Sequence, residues 1–113
     1  PPSQRTAADT AEATGSLQQA LAHAKRLLGS DPALAIRQLD EVLQVVPGHP
    51  AALQWLAAAH SQLGNLSEAV ALLWRLAKAH PDQPLIQFDF GQALLRSGRG
   101  RDAIAALRRA VQA

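Results

Sequence analysis

Cysteine, methionine and tyrosine are all missing from this 113-residue chain, and two Trp and two Phe are its only aromatics. Without cysteine there is no disulfide framework, no thiolate-ligated zinc and no thiol nucleophile. Charge of one sign is also scarce. Eleven Lys and Arg stand against nine Asp and Glu, a formal net charge of +2. The isoelectric point near 10.0 arises because nine of the eleven cations are Arg and no Tyr or Cys buffers the range below Lys; by itself it does not argue for nucleic acid. No apolar run nears the ~20 residues of a membrane span, so no membrane partner is expected. The opening Pro1-Pro2-Ser3-Gln4 has neither an initiator Met nor a signal-peptide apolar stretch, and reads as the start of a processed or excised piece.

Ala and Leu, by contrast, make up more than a third of the chain. Such a mixture favours helix and offers little to a sheet, so the expected class is all-α. Displacing the sequence by 34 residues brings like onto like. Ala35-Ile36, Ala69-Val70 and Ala103-Ile104 coincide, as do Leu39, Leu73 and Leu107, then Pro47 and Pro81, and Gly64 and Gly98. Leu53, Leu56, Ala57, His60 and Leu63 share one helical face. Gly64 is placed to end that helix, Asn65-Leu66-Ser67-Glu68 to start another, and His80-Pro81 to stop it. Ala at 35, 69 and 103 lets paired helices approach closely. Each helix pair leaves one apolar side wet, so the units must stack.

These residues resemble the tetratricopeptide repeat. The clearest unit runs over 50–83, with Leu53, Leu56, Ala57, His60, Gly64, Ala69, Leu73, Leu76 and Pro81 in place. A second runs over 84–113, with Phe90, Gly91, Leu94, Gly98, Ala103, Leu107 and Ala110. A degenerate first, about 16–49, keeps Ala35, Leu39, Val42 and Pro47. The resemblance implies a right-handed α-solenoid of three helix-turn-helix repeats over 16–113. Residues 1–15, which lack an apolar stripe, read as a disordered N-terminal segment.

In the first unit, strict counting would bury Gln19, His23 and Arg26. The apolar stripe is instead Leu17, Leu21, Ala24 and Leu28, which predicts a slipped helix, a longer connection through Gly29-Ser30, and a cap at Asp31-Pro32. The slip turns Gln18, Gln19, Ala22, Lys25 and Arg26 to the open side. At the other end, Ile104 and Val111 fall on the edge that a next repeat would meet. Continuation of the natural chain past Ala113 is the preferred reading, and self-association through that edge the other.

Catalytic chemistry finds no foothold, and no cofactor or metal site is read. His23, His49, His60 and His80 form no metal-ligand spacing. The serines lack a Gly-x-Ser-x-Gly elbow, and Asp40-Glu41 point in different directions on a helix. Gly98-Arg99-Gly100-Arg101 lacks Walker spacing. Arg96, Arg99, Arg101, Arg108 and Arg109 crowd the last unit; a solvated face with cations near a helix C-terminus is the preferred reading, and contact with an anionic surface (nucleic acid, acidic lipid or an acidic neighbouring domain) the other. Their confinement to one unit argues against an RNA-reading groove.

The resemblance implies that first helices line a concave groove that takes a peptide or a helix. Projected onto this chain, the partner-binding residues are Gln54, Trp55, Ala58, Gln62, Phe88, Asp89, Gln92 and Arg96. Trp55 and Phe88 read as aromatic anchors, and Trp74 as packing near the next junction. Family members that bind chaperone tails use a two-carboxylate clamp. Its places here hold Ala20 and Ala24, or Gln18 and Ala22 in the slipped register, followed by Trp55, Leu85 and Asp89, which cannot clamp carboxylates. The expected function is a protein-protein interaction scaffold. The alternative is the non-catalytic N-terminal part of a larger bacterial transferase, of sulfotransferase or glycosyltransferase type.

Overall fold

In the computed structural model the backbone is described over residues 7–112 and the side chains from residue 15. Six helices follow one another: α1 (Ala7–Leu27), α2 (Pro32–Val45), α3 (Pro50–Gln62), α4 (Leu66–Ala79), α5 (Pro84–Arg96) and α6 (Gly100–Gln112). No strand occurs among the described residues. The helices pair as hairpins, α1 with α2, α3 with α4, α5 with α6, and each hairpin packs on the next through α2 against α3 and α4 against α5. The result is an α-solenoid of three stacked hairpins with extents of 52 × 30 × 20 Å. The expectation of an unstructured segment over 1–15 falls outside the described residues for 1–6. From Ala7 onward the backbone is helical, in keeping with the helix propensity of Ala7, Ala8, Ala11, Glu12 and Ala13.

Local sequence explains where helices start and stop. Pro occupies the first turn of α2, α3 and α5, where its missing N–H costs nothing. The Asp31 carboxylate caps α2 by accepting from the Leu34 N–H at 3.1 Å, and His49 Nδ1 caps α3 by accepting from Ala52 at 3.2 Å. Two hairpin turns are Schellman motifs. The Asn65 N–H donates to the His60 carbonyl at 2.8 Å and Gly64 to Ser61 at 3.1 Å, with Gly64 at φ 82°. Gly98 and Arg99 repeat this arrangement on Leu95 and Leu94.

The first hairpin departs from the others as its stripe predicts. Its connection, 28–31, is one residue longer than 63–65 or 97–99, and no residue in it has positive φ. Leu21 and Ala24 are buried with Leu39, Val42, Ala52 and Leu56, while Gln19, His23 and Arg26 face solvent.

The other hairpins share a core of Leu53, Ala57, Val70, Leu73, Leu76, Phe90 and Leu94, closed by Ala103 and Ala106. Leu43 and Leu72 touch both clusters, so the core is continuous along the stack. The small residues act as expected. Ala35, Ala69 and Ala103 are fully buried, and a Cβ on Gly91 would lie 2.7 Å from the Leu107 side chain. Such fully buried leucines as Leu39, Leu76 and Leu94 each contribute about 1.5–3 kcal/mol.

Candidate interaction site

With successive residues about 100° apart on a helix, Gln54, Ala57, Ala58 and Ser61 turn one flank of α3 toward α5. Asp89, Gln92, Ala93 and Arg96 turn the matching flank of α5 toward α3. Between these flanks lies a cleft of about 200 Å³, with Leu73 beneath it. Two hydrogen bonds span it. Gln54 Nε2 donates to Asp89 Oδ2 at 3.1 Å near one end, and Arg96 Nη2 donates to the Ser61 carbonyl at 3.4 Å near the other. An acceptor, a donor, a guanidinium and two amides thus ring a small apolar floor, a combination suited to a peptide backbone with a short side chain.

Of the eight residues expected to form the groove, Gln54, Ala58, Asp89, Gln92 and Arg96 meet in this cleft. Trp55, Gln62 and Phe88 do not line it. Trp55 sits on the opposite flank of α3, half-buried against the Leu21–Leu56 cluster, with Lys25 Nζ 5.7 Å from its ring centroid. Gln62 is exposed at the end of α3. Phe88 is 45% exposed and lies on the far flank of α5. The residue one repeat beyond Trp55 is Asp89, not Phe88, so the two aromatics are about 100° apart in helical phase.

Other side chains also find definite roles. His60 is half-buried, with Nδ1 3.2 Å from Asn65 Nδ2. Trp74, expected to pack at a junction, is half-exposed instead. Three of the five clustered arginines are engaged within the fold: Arg96 on Ser61, Arg99 on Asp102 at 2.9 Å, and Arg109 Nε on Gln87 Oε1 at 3.3 Å. Gln87 itself went unanticipated. It is buried, and its Nε2 donates to the Ala77 carbonyl at 3.1 Å, tying α4, α5 and α6 together. Its one sequence signal is that it stands 34 residues after the core residue Leu53. Among the described residues no three His, Asp or Glu side chains converge as a metal site, and no helix is long and apolar enough to cross a membrane.

Stacked helical hairpins of this period, with an inward cleft between first helices, define a helical-repeat protein. The chain belongs to the tetratricopeptide repeat family, whose model matches residues 27–87, from the end of α1 into α5. It is 36% identical over 83 residues to a human FK506-binding protein-like protein, covering 74% of this chain and 23% of that one. Among solved structures it is similar to an O-GlcNAc transferase mutant of Thermobaculum terrenum, with a TM-score of 0.79 and 27% identity over 88% of this chain and 19% of that chain. A MamA mutant shares the fold at a TM-score of 0.77 and 17% identity, over 86% of this chain and 72% of that one. The chain therefore spans less than a quarter of both the curated human relative and the transferase chain.

Proposed function

We propose that this chain is a protein-interaction scaffold that takes a peptide or a partner helix on the concave face formed by α1, α3 and α5. The observation that carries this reading is the convergence of Gln54, Ala58, Asp89, Gln92 and Arg96 on one cleft. Trp55 with Lys25 forms the shoulder toward α1, and Leu85 and Phe88 leave apolar surface open on the other side. An amide-rich centre between apolar shoulders fits extended-peptide or helix capture. The test is calorimetry on a partner isolated with the full chain. Trp55→Ala and Arg96→Ala should each weaken binding by more than about 1 kcal/mol, with helicity unchanged by circular dichroism. Affinity unmoved in both variants would remove the concave face from the interface.

A second reading is supported by the likeness to the transferase, in which a unit of this fold occupies a fifth of a longer chain. There the scaffold would position a protein substrate or pair two enzyme copies, with the chemistry elsewhere. A third draws on the exposed Ile104 and Val111, through which copies of the chain would self-associate. Light scattering over a concentration series checks this last reading, since a constant monomer mass excludes it.

A further inference from the structure

The outer face of α4 carries features that the concave cleft does not use. Trp74 is 50% exposed, although a Trp that only served packing would be covered. Lys78 Nζ lies 4.4 Å over its ring centroid, close enough for a cation–π contact that holds both side chains in place. A hollow of about 470 Å³ adjoins the ring on the side of the α5–α6 turn, walled by Val70, Ala71 and Arg99. Another, of about 460 Å³, adjoins it on the side of the α2–α3 turn, walled by Leu53, Arg75 and Lys78. Ser67, Ala71, Trp74 and Lys78 fall within about 60° of one another on the helix, so ring and hollows form one stripe.

The charged side chains that wall the two hollows are all cations. Arg75, Lys78 and Arg99 border the Trp74 hollows. Arg99 is paired with Asp102, whereas Arg75 and Lys78 enter no ion pair among the described residues. The acid of α4's first turn, Glu68, lies about 120° round the helix from Trp74. We propose that this face is a second docking surface, for an acidic peptide segment that carries apolar side chains. The stripe from Ser67 to Lys78 is about 16 Å long, the reach of roughly five residues of extended chain. Laid along α4, such a segment would place an apolar side chain in each hollow, on either side of the Trp74 ring. Its carboxylates would meet Lys78 and Arg75 at one end and the free edge of Arg99 at the other. A nucleic acid fits less well, because base stacking needs an open aromatic face and Lys78 already covers one face of Trp74.

The probe is a fluorescein-labelled pentapeptide of sequence Glu-Leu-Asp-Phe-Glu, titrated with the full chain at low salt and followed by anisotropy. Binding should be saturable below about 1 mM and weaken at least about tenfold in both Trp74→Ala and Lys78→Ala. Arg26→Ala, which removes one exposed positive charge from α1, should change it less than about twofold. Trp74 and Lys78 are both exposed, and circular dichroism verifies that each variant is folded. The proposal is overturned by an absence of saturable binding, by equal affinity in wild type and both variants, or by equal losses in Arg26→Ala and Lys78→Ala. Displacement of the peptide by a ten-nucleotide single strand that binds more tightly would also overturn it, assigning the face to nucleic acid instead.

Discussion

The second and third hairpins are the same object shifted by 34 residues, with matching helices and matching Schellman turns at Gly64 and Gly98. Yet Val70 is 8% exposed and its counterpart Ile104 52%, and Ala77 is 7% exposed against 87% for Val111. Nothing in α4 or α6 produces that difference. The third hairpin lies against the second, while nothing among the described residues lies against the far side of the third. Burial in a stacked array therefore belongs to the junction rather than to the residue, and the same apolar position is core in one unit and exposed surface in the next. Inside the hairpins the comparison runs the other way. Leu53 is replaced by Gln87 and Ala57 by Gly91, so the third unit closes more tightly and holds its neighbours with a buried amide.

The largest effect that would sharpen this contrast comes from truncating equivalent kinds of residue on the two sides of it. Leu94 is 1% exposed within the shared core, and Leu94→Ala should cost about 2–5 kcal/mol in urea unfolding. Ile104→Ala should stay within about 0.5 kcal/mol. Comparable losses would mean that the C-terminal edge is covered in solution, and the cost of Ile104→Ala would then depend on protein concentration.

Next in size is the buried amide. Gln87→Ala removes the partner of the Ala77 carbonyl, one of the last carbonyls of α4, and releases Arg109. A loss of about 1–3 kcal/mol is expected, while Arg109→Ala alone, on a half-exposed bond, should cost under about 1 kcal/mol. Thermal melts of the two single variants and the double variant separate the carbonyl contact from the guanidinium contact. If Gln87→Leu proves fully stabilising, the amide is a tolerated substitution for Leu53's counterpart rather than a tie between helices.

The architecture was legible because its determinants are local and repeated. Gly64 and Gly98 must adopt positive φ, and Ala35, Ala69 and Ala103 must be small. The slip of α1 was legible for the same reason: burying Gln19, His23 and Arg26 costs more than shifting a helix, and the Leu21–Ala24 stripe shows where it shifts. The candidate site was legible only where helical phase alone decides it, as for Gln54, Ala58, Asp89, Gln92 and Arg96. Trp55 was harder to place because its cover, Lys25, comes from the slipped helix. Phe88 stands 33 residues after Trp55, one short of the repeat, and that single residue sets it about 100° off the Trp55 phase. Trp74 and Gln87 depend on how a neighbouring hairpin lies, and no intrahelical period carries that information. A glutamine in particular looks like surface until its carbonyl partner on the previous helix is in view.

The smallest effect concerns the turns, and it sets the first hairpin apart from the other two. Gly64 and Gly98 sit at φ 82° and 83°, while Gly29 does not have positive φ. Added Cβ atoms at Gly64 and Gly98 would meet nothing within 4 Å, so any penalty there is backbone conformation and not crowding. At Gly29 the nearest atom to an added Cβ, the Arg26 carbonyl oxygen at 3.7 Å, is at ordinary contact distance. Gly64→Ala and Gly98→Ala should therefore each destabilise the chain by about 1–2 kcal/mol. Gly29→Ala should be neutral or stabilise slightly, because alanine restricts the unfolded chain without straining the folded one. Denaturant midpoints of the three variants, compared at equal m-value, decide it. A Gly29→Ala loss as large as the other two would show that the first turn also closes through a left-handed residue, and the longer connection would no longer distinguish this hairpin from its neighbours.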